Sequence, residues 1–136
     1  MNDQPIAPAS PMKLAALFFS PTGRISRQAY WLALAVLTCI NFSLRPLWEG
    51  MMVIQTGADG VDHVVMTGTG PIAMFILLLF QWVFFVLIAK RARDFGWPGL
   101  IALLWVVPLI NFLVLFGVGL KAGDPGPNRF GWAPNQ

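Results

Sequence analysis

The sequence predicts an all-α integral membrane protein with three transmembrane helices, on three observations. Hydrophobic residues make up 57% of the 136 residues and charged residues 11%, against about 25% charged in a typical soluble domain. Mean hydropathy is +0.67, and a soluble chain this short still leaves about a third of its surface in water. Three apolar runs, at residues 29–48, 72–89 and 100–120, have lengths suited to a bilayer, and basic clusters flank them. These features exclude a soluble enzyme, a disordered chain and a disulfide scaffold. With one cysteine, Cys39, no intramolecular disulfide can form.

Residues 1–11 are polar and proline-rich and are expected to be a disordered tail, with one membrane domain over 12–136. That start has neither the basic residues nor the long apolar core of a secretory signal. Residues 12–20 predict a short N-terminal interfacial helix with Lys13 at the headgroups. Pro21-Thr22-Gly23 breaks it, and Ser26 supplies an N-cap for the next helix.

The first span covers residues 29–48. Its uncharged part is short, so Tyr30, Trp31 and Trp48 are needed as interface anchors, with Arg45 snorkelling. Residues 49–70 form a loop, in which two β-favouring runs around Asp59-Gly60 suggest a small hairpin. The second span, 72–89, holds one strongly polar side chain, Gln81; Lys90 ends it and 90–99 is a tight polar connector. The third run, 100–120, is long enough to cross once at about 31 Å. Pro108 should kink it; the competing form is a re-entrant hairpin turning near Pro108, each leg covering about half the core. The tail, 121–136, is a glycine- and proline-rich loop.

With a cytoplasmic N-terminus, Lys13, Arg24, Arg27, Lys90, Arg91 and Arg93 lie inside, and Arg45, Lys121 and Arg129 outside. Six against three favours this orientation. Three crossings then send the tail outside, whereas a re-entrant third segment returns it to the N-terminal side. These basic residues are read as topology signals and contacts to anionic lipid, so no nucleic-acid partner is expected.

Three stretches together resemble a family: LFFSPTGRISRQAYW (17–31), KRARDFGWPG (90–99) and GDPGPNRFGWAP (123–134). They are similar to the signatures of domain of unknown function 805, the YhaH-like small bacterial inner-membrane proteins. Arg93 stands where that family usually has histidine. The resemblance implies a helical inner-membrane protein and no particular activity.

The polar residues then divide into groups. Arg24, Arg27, Arg91, Arg93 and Asp94 form a candidate ionic cluster. In it Asp94 is expected to pair with Arg24, Arg27 or Arg91 and lock the first span to the second; binding of a phosphate, lipid headgroup or carboxylate is the alternative. Asn128-Arg129-Phe130-Gly131 is the distinctive tail motif, read either as a cap folded on the membrane surface or as a docking element. Gln81 and Asn111 are intramembrane polar groups suited to interhelical hydrogen bonds. Asp59, Asp62 and His63 lack the four well-spaced ligands of a structural metal site, so no metal and no cofactor is expected. His63 is the only histidine, and no catalytic motif is present. The expectation is a non-enzymatic accessory or interaction subunit, with membrane lipid and another membrane protein or itself as partners. The runner-up is a small transporter or channel component acting as an oligomer.

Overall fold

The computed structural model describes residues 14–132 and residue 134. The expected tail at 1–11 lies outside them, as do Met12 and Lys13 of the expected interfacial helix. The described part of that helix is α1 (Leu14–Phe19).

The next helix, α2, covers Arg27–Ser43. Ser26 is extended, and its hydroxyl accepts from the Ala29 N–H at 3.2 Å, satisfying an otherwise orphaned donor. Tyr30, Ala33, Leu34 and Leu37 are buried at helical spacing, while Leu32, Val36 and Ile40 remain exposed. A helix apolar on all faces is one whose outer face meets something other than water. It stops at Leu44 and resumes as α3 (Arg45–Glu49). Pro46 has no N–H to continue the ladder, so the expected 29–48 span is two helices with a joint.

Strands β1 (Met52–Thr56) and β2 (Asp62–Met66) pair antiparallel around Asp59-Gly60, where Gly60 takes φ 76°. The fold is therefore not all-α: a two-stranded ribbon joins α3 to the next helix.

That helix, α4, covers Gly70–Asp94. Among the described residues it is the one helix long and apolar enough to cross a membrane. It runs through Lys90–Asp94, so the first half of the expected polar connector at 90–99 is helix. Gly96 (φ 77°) ends it, with the Gly96 N–H bonded to the Arg93 carbonyl and the Trp97 N–H to that of Ala92. Pro98 then forbids continuation.

The third apolar run is not one helix. A 3-10 helix covers Gly99–Val106 and α5 covers Ile110–Leu120. Pro108 disfavours the helical region for the residue before it, and Val107 is extended at φ −85°, ψ 118°. Leu109 takes φ 68°, and the chain reverses. Gly99 lies against the Arg93 guanidinium. Further along, Trp105 stacks on Phe84 at 5.0 Å and donates to Gln81 at 3.3 Å. The Val118 and Lys121 carbonyls are back beside Arg91. The segment thus leaves and rejoins α4 at the same end. Of the two forms the sequence allowed, the chain reversal is that of the hairpin and not of a single kinked crossing. Its legs are about 16 Å each, from 8 residues of 3-10 helix and 11 of α-helix.

The core lies where α2, α4 and α5 meet. The Tyr30 hydroxyl donates to the Leu115 carbonyl at 2.9 Å, and the Trp31 indole N–H to that of Gly119 at 3.1 Å. Gly119 permits this approach, because a Cβ there would sit 2.6 Å from the Trp31 ring.

Candidate functional site

The fold-back brings the three motif segments to one end of α4. Arg24 comes from the link between α1 and α2, Arg91, Arg93 and Asp94 from the last turns of α4, and the tail returns from α5. Each part has a local cause. Ser26 caps α2 and so places Arg24 just outside it. The α4 helix presents Arg91 and Asp94 three residues apart on one face. Gly123 gives the tail its close approach, since a Cβ there would collide with the Asp94 carboxylate.

Asp94 is the hub. One carboxylate oxygen accepts from Arg24 Nε at 3.1 Å and lies 3.0 Å from its Nη2; the other accepts from Arg91 Nη1. Arg24, Arg91 and Asp94 are 4%, 0% and 3% exposed, so this is an ion triad out of water. An unpartnered ion at such a site would be strongly destabilising.

The arginine donors left over go to backbone carbonyls. Arg24 Nη1 reaches Gly126 at 2.8 Å and Gly131 at 3.1 Å, and its Nη2 reaches Asp94 at 3.0 Å and Asp124 at 2.8 Å. With the Nε bond, all five guanidinium donors are used. Arg91 donates to Val118 at 3.1 Å, Ile25 at 3.3 Å and Lys121. The Asp124 N–H closes the ring onto the Asp94 carbonyl at 2.8 Å.

A second layer surrounds this clasp. Arg93, half-buried, donates to the Pro21 carbonyl and lies over the Phe130 ring. Asn128 donates to the Arg93 carbonyl and to the Asp124 carboxylate, both at 2.9 Å. Its own oxygen accepts from the Phe130 N–H, and its backbone pairs with Gly131 in an isolated bridge. Arg129 donates to the Gly96 carbonyl at 2.8 Å. Lys90, 1% exposed, donates to the Ala16 and Leu17 carbonyls near the end of α1, where a cation complements the helix terminus.

Arg27 does not join the triad. It is exposed, at the edge of an open cavity of about 360 Å3 lined also by Ser26, Gln28, Arg91, Asp94 and Gly123. Gln81 and Asn111 are likewise not brought together. Gln81 accepts from Trp105, and Asn111 accepts from the Phe112 N–H at 2.7 Å. In the ribbon, Asp59 lies 3.5 Å from His63, and Asp62 accepts from Thr56. Among the described residues, no three acidic, histidine or cysteine side chains are grouped to hold a metal.

Sequence reasoning missed Asp124, Lys90 and Lys121 as contributors. A third crossing would carry Asp124 to the far side of the membrane from Asp94, so the sequence alone does not join them. The Lys121 ammonium packs over Phe95 and Trp97, at 4.7 and 4.3 Å.

The chain matches the family model described as "Protein of unknown function (DUF805)" over residues 18–132. It belongs to this family. It is also 30% identical over 112 residues to "Inner membrane protein YhaH" of Escherichia coli strain K12, a match covering 82% of this chain and 84% of that relative. The protein of the same name in Escherichia coli O157:H7 matches to the same extent. These relatives support an inner-membrane location for the present chain. No solved structure matches it.

Proposed function

We propose that this DUF805 chain is a non-enzymatic inner-membrane protein serving as an accessory or interaction subunit. In this reading α4 and the jointed α2–α3 cross the bilayer, and the 3-10 helix and α5 form a re-entrant hairpin. Both ends of the chain then lie on the cytoplasmic face with the clasp. The observation that carries the reading is the saturation of that clasp. Every donor of Arg24 and both oxygens of Asp94 are engaged in tying the three motif segments together. Groups so consumed hold a shape; they are not free to transfer protons or attack a substrate. The topology also improves the charge asymmetry. Arg24, Arg27, Lys90, Arg91, Arg93, Lys121 and Arg129 fall on one face, and Arg45 beside the ribbon on the other.

Native co-purification in mild detergent, read by mass spectrometry, tests the role. A stoichiometric membrane-protein partner is the expected result. A species containing this chain alone would overturn the accessory role in favour of a transporter or channel component working as an oligomer.

The cavity beside Arg27 supports a second reading, capture of an anionic group such as a lipid phosphate. Bound phospholipid that survives purification and is lost on Arg27→Ala would favour it.

A further inference from the structure

The clasp consumes Arg24 and Asp94, but it leaves cationic donors around one cavity. That cavity, of about 360 Å3, opens where the start of α2, the end of α4 and the tail meet. Arg27 lines it, is exposed, and forms no ion pair among the described residues. Arg91 lines it too and is 0% exposed. Four of the Arg91 N–H bonds go to Val118, Ile25, Asp94 and Lys121; the fifth, on Nη2, has no partner among the described residues. The start of α2 adds to these donors. Ser26 accepts from Ala29, so the Arg27 and Gln28 N–H groups are left without an intrahelical acceptor. The acid in the lining, Asp94, already has both oxygens bonded to Arg24 and Arg91. The cavity is thus rich in donors and net positive, with no free carboxylate for a cation.

A second, separate observation lies along α2. Gln28, Leu32, Val36 and Ile40 succeed one another at i+4 spacing, a continuous ridge on the helix surface. All four are exposed, Leu32 at 69%. An apolar stripe therefore begins one turn beyond the cavity. In the membrane reading Tyr30 and Trp31 mark the interface, so the cavity lies at headgroup depth and the stripe in hydrocarbon.

We propose that the cavity holds the phosphate of an anionic phospholipid, with an acyl chain laid along Leu32, Val36 and Ile40. The inference rests on the anion-capture reading above and gives it a ligand. A phosphate offers several acceptor oxygens to the Arg27 fork and to the helix N-terminus. The stripe separates a lipid from free phosphate, which has nothing to place there. The positive lining separates an anionic lipid from a zwitterionic one, whose ammonium finds no free carboxylate.

The test titrates the delipidated full chain in detergent by native mass spectrometry. The probes are phosphatidylglycerol, phosphatidylcholine of the same chains, and glycerol phosphate as a competitor. One phosphatidylglycerol is expected per chain, bound about tenfold more tightly than phosphatidylcholine and not displaced by equimolar glycerol phosphate. Arg27→Ala should remove that preference, a loss of about tenfold for one charge-assisted contact. Arg27 lies outside the clasp, so this variant should melt as the parent does. Arg45→Ala, which removes an exposed cation from the far end of α2, should keep the preference. Displacement by glycerol phosphate overturns the lipid assignment and leaves anion capture standing. Equal affinity for the two lipids, an unchanged preference in Arg27→Ala, or an equal loss in Arg45→Ala overturns both.

Discussion

The two ends of α4 are held by opposite means. Toward its C-terminus every residue from Val86 to Ala92 is buried, and Arg91 and Asp94 are tied to the link before α2, to α5 and to the tail. Toward its N-terminus Pro71, Ile72, Phe75 and Leu78 are exposed, and the adjoining ribbon leaves Ile54 and Val64 about 70% exposed. The first end spends its specific contacts on charges; the second leaves its apolar groups to their surroundings. In the proposed topology the difference along α4 follows from the solvent. Lipid satisfies an apolar side chain without a protein partner, but it satisfies no ion or backbone amide. Directed contacts therefore gather where the polarity is.

That contrast breaks most completely at Asp94. Asp94→Asn removes the one anion shared by two buried guanidiniums, and about 3–5 kcal/mol of stability should go with it. Little folded protein should survive detergent extraction, read by size-exclusion chromatography after a thermal ramp; unchanged melting would contradict the clasp. Gly123→Ala tests the tail's approach, because its new Cβ would meet the Asp94 carboxylate. A loss of about 1–3 kcal/mol is expected, as for other overpacked sites, seen as a lower melting temperature in the same assay. Lys121→Met removes an exposed cation from the faces of Phe95 and Trp97 and should lower stability by about 0.5–1 kcal/mol. At the opposite end, Ile54→Thr and Val64→Thr in the ribbon should each shift stability by about 0.5 kcal/mol or less. A ribbon change as damaging as Gly123→Ala would erase the distinction between the two ends.

Much of the chain could be read locally. The Ser26 cap, the turn at Asp59-Gly60 and the apolar run of α4 each depend on neighbours a few residues away. The Asp94 pairings with Arg24 and Arg91 were among those its charge made plausible. What sequence could not resolve was Pro108. A proline in an apolar run is compatible with a kinked crossing or with a reversal. The choice depends on Trp105 finding Phe84 and Gln81, and on Tyr30 and Trp31 reaching the α5 carbonyls, all contacts across long stretches of chain. Because that choice decides where Asp124 and Asn128 lie, the outer layer of the clasp was hidden with it. Arg27 illustrates the opposite limit: the sequence groups it with Arg24, but Ser26 starts the helix between them.

The central claim is that the hairpin returns the tail to the side of Arg24, and a C-terminal reporter tests it most directly. Fused after Gln136, a green fluorescent protein should fluoresce and an alkaline phosphatase should stay inactive, marking the tail as cytoplasmic. The reverse pair of results, with phosphatase inserted at Asp59 inactive, would simply invert the protein. An active phosphatase at both Asp59 and the C-terminus would contradict the account, because it would put the tail on the ribbon's side of the membrane.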